Sequence, residues 1–438
     1  MKTNIKFKET LSIGFMLFAI FFGAGNVIFP PFLGMQSGEN VWVSVIGFII
    51  ADVGLSLICT IAVAISGENF ENIAARVSPK FATIFSILVY MMLGPLCAIP
   101  RIGAVSASLS IIPLVGDSPL SLYFSVGFIA IFFIATYLLA ANPGKLLDFI
   151  GKIITPVMLI LIVVIIIRAI VNPIGTFANP VGQYATSPFF KGFIEGYQTL
   201  DAVGALVIAL VVISSIKQLG VTESKDVVRI TIKSGIIASI CLGLVYFGLG
   251  YLGATCGSLN GTFKDGGDLL VAAMLNLFGK PGLILLGFVV TMACLTTSVG
   301  LSSSFAEYFS KFFKDEKSGY NIVLLLLCAF SFILSNLGLS TILKVSLPAL
   351  LIIYPITITL IALVFVDKLI HLKRPIFVSA IVFALLFGVL QVCNDFNLTL
   401  GVVSSVYKKI PLVSLGLGWI IPTIAGGLIG TLIPAKKQ

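Results

Sequence analysis

Apolar residues run through this chain in long blocks separated by short, lysine-bearing polar stretches. Blocks long enough to cross a bilayer, which takes about 20 residues, occupy 11–33, 43–66, 82–112, 120–140, 153–171, 189–214, 234–256, 282–308, 321–338, 345–366, 375–393 and 412–433. These predict twelve transmembrane helices in a single transmembrane domain covering 1–438, an all-α integral membrane protein. Two blocks break their own pattern. Leu11–Leu33 carries no charge but is interrupted at its centre by Gly23-Ala24-Gly25-Asn26. The sixth block carries Gly196-Tyr197-Gln198-Thr199-Leu200-Asp201-Ala202-Val203-Gly204, again central and now with a carboxylate.

Irregular backbone at mid-membrane is tolerated only where protein buries it or where it lines a cavity. One glycine alone would read as a close-packing residue. A cluster in each of two corresponding spans reads as a site. Spans one and six open two groups of five, and five is odd, so the groups run through the membrane in opposite directions. Matching breaks in inverted halves point to a central binding site. The expected division is 10–171 and 189–366 for the two repeats, with 375–433 holding the last two helices.

Each break exposes two kinds of backbone group. The helix half that starts after the break presents free N–H groups and a positive dipole end, suited to a carboxylate. The half that ends before it presents free carbonyls, suited to a cation. A zwitterionic amino acid with a coupling ion fits that pairing.

Composition agrees with this class: 58% of residues are hydrophobic and 10% charged, against about 25% charged in soluble domains. Of the 27 Lys and Arg residues, nineteen fall on one side if the N-terminus is cytoplasmic, seven on the other, and Arg101 within a span. That bias predicts both termini inside. The net charge of +9 therefore belongs to loops facing anionic lipid, not to nucleic-acid binding. The first block is too long for a signal peptide and no small-residue cleavage site follows it, so no cleaved leader is expected. The seven cysteines lack ligand spacing and read as packing residues. Two loops look structured. A surface helix is expected within Glu68–Val77 from the spacing of Phe70, Ile73, Ala74 and Val77. Another, capped by Asp268 and ending at Gly279, is expected in the loop before span eight.

Several polar residues cost energy in lipid. An Asp at a helix centre costs roughly 2.5–3.5 kcal/mol on insertion scales, so Asp201 needs a partner or a wet cavity. Arg101 lies twelve residues before Pro113, and Asp201 twelve after Phe189. Both therefore sit roughly 18 Å below the same surface. A charge pair or gate between them is one reading; outward snorkelling of Arg101 is the other. Asp52, Glu195 and Glu307 lie closer to span ends, where solvation or a loop partner is expected. His371 sits in a basic loop. In span eight, Thr296, Thr297 and Ser298 either bond back to their own helix or offer hard oxygens to a small cation. No metal, nucleotide or nucleophile motif appears, and no cofactor is expected beyond the coupling ion. A channel would need charge rings or a filter repeat, and an enzyme a catalytic cluster; the sequence has neither.

Phe18–Gly34 (FAIFFGAGNVIFPPFLG) resembles the first-helix signature of BrnQ-type branched-chain amino acid:cation symporters. The resemblance continues at Gly94–Arg101 (GPLCAIPR), Gly196–Ala202 (GYQTLDA) and Ala306–Phe309 (AEYF), and covers nearly the whole chain. It implies uptake of leucine, isoleucine and valine across the bacterial cytoplasmic membrane, coupled to Na+ or H+. It also implies a LeuT-type 5+5 inverted repeat with broken helices one and six and peripheral helices eleven and twelve. Carried over residue by residue, Gly23, Ala24, Gly25 and Asn26 would hold the substrate carboxylate, with Ala98, Gln198, Thr199, Leu200 and Asp201 completing the substrate site. Na+ would take the carbonyls of Ala19, Phe22 and Ala293 and the hydroxyls of Thr296 and Thr297. Asp201 stands where LeuT-type proteins carry an uncharged residue, and Asp52 where the family looks apolar.

Overall fold

The computed structural model describes residues 5–434 apart from 68–69, 117, 143–146, 260–261, 397 and 399–400. No strand occurs among the described residues. Among the described residues, ten helical runs are long and apolar enough to cross a membrane. The breaks explain the difference from twelve. Ala24–Ser66 joins the second half of span one to span two in one run, and the last span is a 13-residue helix, Ile420–Leu432. That last helix starts later than the apolar pattern implies, because Leu412 and Gly416 take left-handed conformations around a short turn.

Both expected interruptions are present. Span one divides into Phe7–Phe21 and Ala24–Ser37, and span six into Pro188–Tyr197 and Asp201–Gln218. A third interruption was not expected. Span three divides into Pro79–Met91 and Ala98–Ser110 around Gly94, which leaves helical geometry at φ −86°, ψ −116°. Pro95 cannot donate to the carbonyl a turn back, so the ladder opens there.

Span seven (Ser224–Thr255) lies along both halves of span one. Span eight (Lys280–Ser310) packs on Phe7–Phe21 and on Ala98–Ser110. The first half of span six lies on Val41–Ile49 and the second on Leu55–Ser66, the two parts of span two. Spans one, two, three, six, seven and eight thus converge on the two breaks. Span eleven (Arg374–Asp395) packs on span twelve and on span ten (Leu339–Ile370), at the edge of this core.

Two of the expected loop helices need correction. The helix before span eight is Gly266–Phe278, and its cap is Asp265, whose carboxylate accepts from Gly267 N–H at 2.8 Å and Asp268 N–H at 3.1 Å. Asp268 sits inside the first turn. The helix within 68–77 is Phe70–Ala75; Glu68 and Asn69 lie outside the described residues. Phe70, Ile73 and Ala74 are buried and the helix packs on Pro79–Met91, so protein covers its apolar face.

Without a hydrophobic drive between helices in lipid, close backbone approach supplies the packing energy. At Gly253 a Cβ would lie 1.8 Å from the Pro31 carbonyl oxygen, and at Gly192 it would lie 2.0 Å from that of Ser44. The first contact locks span seven to span one; the second locks span six to span two. Gly253→Ala should therefore lower the thermal unfolding midpoint in detergent by several degrees or abolish monodisperse protein. Gly127→Ala, where a Cβ meets nothing within 4 Å, should leave the midpoint in place. Equal behaviour of the two variants would refute the packing argument.

Candidate transport site

The first break is made by Phe22, which turns out of the helix at φ −74°, ψ 77°, and by extended Gly23 at φ −105°, ψ −160°. Asn26 stabilises it from the turn below. Its Oδ1 accepts the Gly23 N–H at 3.2 Å. Its Nδ2 then points away from its own helix, reaching Asp201 Oδ2 at 2.6 Å, the Tyr246 hydroxyl at 2.6 Å and Asp52 Oδ2 at 3.4 Å. One buried amide thereby links spans one, two, six and seven.

In the second break Leu200 is left-handed at φ +76°, a conformation costly for a branched side chain and common at functional sites. The Thr199 hydroxyl donates to Asp52 Oδ1 at 2.5 Å. Asp52 was expected near a solvated span end. It is 1% exposed and its carboxylate accepts from Thr199 and Asn26.

Of the two readings of Arg101, the ion pair with Asp201 is not formed. Arg101 donates instead to the carbonyls of Gln198 at 2.6 Å and Thr199 at 2.9 Å. These carbonyls end the first half of span six and carry its negative dipole end, so a guanidinium satisfies them in both hydrogen bonding and charge. Arg101 is buried, so it does not snorkel. Glu195 bonds Lys191 and the Gln198 side chain, whereas Glu307 is exposed.

Between the breaks lies a narrow cavity. Gly23, Ala24, Gly25 and Asn26 form one wall, and Thr199, Leu200 and Asp201 the opposite one. Ala98 and Arg101 close it from span three. Gln198 is behind this wall, contributing its carbonyl to Arg101. Apart from Thr297, the remaining lining is apolar, with Leu93, Ile102, Ile208 and Leu301 among it. The space is about 20 Å³, room for roughly one water, so a larger occupant requires the walls to part.

Beside the cavity the broken helix leaves carbonyls without their usual partners. In an unbroken helix, Ala19 and Ile20 would accept from residues 23 and 24. Here Thr296 donates to the Ala19 carbonyl at 2.7 Å and to that of Ala293 at 2.9 Å, and Thr297 donates to the Ile20 carbonyl at 2.7 Å. A Cβ on Gly23 would lie 2.8 Å from the Thr297 hydroxyl, so only glycine leaves this approach open. Turned away from the carbonyls, the hydroxyl protons would leave a group of hard oxygens facing inward, the donor set small cations prefer. Phe22 lies at the turn itself, its ring stacked on Phe18 at 5.2 Å.

Sequence reasoning missed Tyr246 and the Ile20 carbonyl, and misplaced Asp52. The rise per residue could have located Asp52: nine residues into span two is roughly 14 Å deep. Tyr246, one aromatic among many in an apolar helix, gave no such signal.

A core of broken helices one and six around a buried polar site, with two helices at its edge, defines a LeuT-type membrane transporter. The solved structure of Mhp1, a nucleobase-cation-symport-1 family transporter in a closed conformation with bromovinylhydantoin bound, matches this fold. It does so at TM-score 0.57 and 16% identity over 96% of this chain and 91% of that one. The family description "Branched-chain amino acid transport protein" matches residues 6–437. The chain is 41% identical to the branched-chain amino acid permease BraB of Bacillus subtilis over 99% of this chain and 97% of that protein. It is 38% identical to the branched-chain amino acid transport system 2 carrier protein of Pseudomonas aeruginosa over 96% and 94%. To the permease BrnQ of Escherichia coli it is 34% identical over 97% and 95%. This chain belongs to the branched-chain amino acid transport protein family. It is a multi-pass membrane transporter and not an enzyme.

The Asp52 carboxylate is the acceptor that Thr199 and Asn26 share. Asp52→Ala removes that acceptor and leaves a buried void, with Thr199 keeping only the Gly196 carbonyl and Asn26 only Asp201 and Tyr246, a loss of about 1–3 kcal/mol. Asp52→Asn keeps an acceptor oxygen and the shape. The alanine variant should therefore unfold at clearly lower temperature in detergent than the asparagine variant. Identical, small shifts for both would contradict the network.

Proposed function

We propose that this transporter imports leucine, isoleucine and valine in symport with Na+ by alternating access. The observation that carries the reading is the joining of the two helix breaks through Asn26, with a cavity on one side and the Ala19–Ala293–Thr296–Thr297 oxygens on the other. Substrate and ion then share one broken helix, so each one's binding stabilises the geometry the other needs. By linkage, each raises the other's affinity by the same factor. The names of the relatives support the substrate class, and the apolar lining supports it independently. Leu93, Ile102, Ile208 and Leu301 offer no partner to a polar side chain. The lysine bias of the loops supports cytoplasmic termini, in the cytoplasmic membrane of a bacterium.

One observation favours a second reading, proton coupling of the same transport. The Asp52 and Asp201 carboxyls both accept from the one Asn26 Nδ2, at 3.4 and 2.6 Å, and two buried carboxyls brought together in this way suit a proton carrier. Labelled leucine uptake into proteoliposomes, driven separately by a Na+ gradient and by a proton gradient, decides between the two. The Na+ reading expects accumulation with Na+ alone, isoleucine and valine competing with similar strength, and lysine and glutamate not competing. Accumulation driven only by the proton gradient overturns it. Replacing Thr296 and Thr297 together by alanine should raise the Na+ midpoint of leucine binding about tenfold or more, the loss of about 1.4 kcal/mol. An unchanged midpoint assigns both hydroxyls to helix packing alone.

A further inference from the structure

Arg101 has a role that its carbonyl contacts do not exhaust. A guanidinium has five N–H donors, and the Gln198 and Thr199 carbonyls take two. Its Nε is buried without a partner, although the side chain is only 3% exposed. Arg101 lines the same cavity as Gly23–Asn26, and its Nη2 lies 3.3 Å from where a Cβ on Gly25 would stand. Nη2, which has one N–H beyond its bond to Thr199, therefore stands beside the start of Ala24–Ser37, a 14-residue helix. The N–H groups of Ala24, Gly25 and Asn26 have no carbonyl one turn back to bond.

That arrangement sets a cation against the positive end of a helix dipole in a buried, apolar-walled space. The two repel unless an anion lies between them. Asp201, on the opposite wall, is the other charged residue lining the cavity. It bonds Asn26 Nδ2 and not the guanidinium. The cavity thus has a donor-rich positive corner and a carboxyl corner, complementary to a zwitterion. The geometry points to Arg101 as a direct ligand of the substrate carboxylate: its unused Nε edge pairs with one face of the carboxylate while the helix N–H groups of Gly25 and Asn26 take the other. This deepens the amino acid transport reading above and rests on it. The carbonyl contacts fix the guanidinium plane, so the fork is pre-organised for a planar anion. Arg101 then makes a free α-carboxylate a requirement, and side-chain preference falls to the apolar lining.

The test compares binding of leucine and leucinamide, which keeps the ammonium and the side chain but has no carboxylate charge, to purified full-length protein in Na+. A purely structural Arg101 would change both affinities together; a carboxylate ligand changes their ratio. In Arg101→Gln, leucine should weaken about ten- to hundredfold, one charge-assisted contact, while leucinamide stays nearly constant. If Arg101→Gln is not monodisperse, Arg101→Lys decides. Lysine keeps one charge but cannot span the carbonyls and a carboxylate together, so the leucine-to-leucinamide ratio should still fall about tenfold. An unchanged ratio in the folded variant overturns the assignment. Wild-type protein that binds neither leucine, isoleucine nor valine would instead overturn the transport reading, so the two failures are distinguishable.

Discussion

The architecture of the site depends on the Asn26 side chain. A helix broken in mid-membrane strands N–H and carbonyl groups where no water reaches them, and each would cost several kcal/mol left alone. Asn26 meets that constraint with both ends of one amide. Its oxygen holds the Gly23 N–H inside span one, and its nitrogen reaches Asp201 across the second break. The two irregular segments therefore sit against each other. Asp52 and Tyr246 extend the tie to spans two and seven.

The other stranded groups find partners by the same logic. Arg101 covers the carbonyls ending the first half of span six, and Thr296 and Thr297 cover those ending the first half of span one. In each case the partner is a side chain from another span, one that can release the carbonyl when the spans part. A site built this way has its stranded backbone groups satisfied while the walls are closed. The glycine contacts at Gly192 and Gly253 lock the surrounding helices at backbone distance around this centre.

The class, the spans and both helix breaks were legible because they follow from local rules. Long apolar runs mean helices in lipid, and clustered glycines with a polar residue at mid-run mean an interruption. The break in span three was less legible: Gly94-Pro95 resembles many tolerated kinks, and only its neighbours make it an opening beside the cavity. Partnerships were the least legible of all. Equal depth brought Arg101 and Asp201 to the same level, but depth says nothing about azimuth, and Arg101 turned to backbone carbonyls while Asp201 turned to Asn26. Span six's missing carbonyl partners were the sequence-level clue, since a helix end in lipid must be capped by something. For Asp52 the depth argument was available, and the expectation of a solvated span end gave it too little weight. The Asp265 cap shows the smaller version of the same limit: two aspartates three residues apart compete for one role, and the backbone direction entering the helix decides.

The central claim is that Asn26 and Asp201 couple the two breaks directly. A double-mutant cycle in detergent, with Asn26→Ala, Asp201→Ala and both together, measures that coupling as the non-additive part of the unfolding free energy. Residues in contact within one buried network couple by about 0.5–3 kcal/mol. The account predicts a value in the upper half of that range, with the double variant losing clearly less than the sum of the single losses. Strict additivity would show that the two breaks are positioned independently and would contradict it.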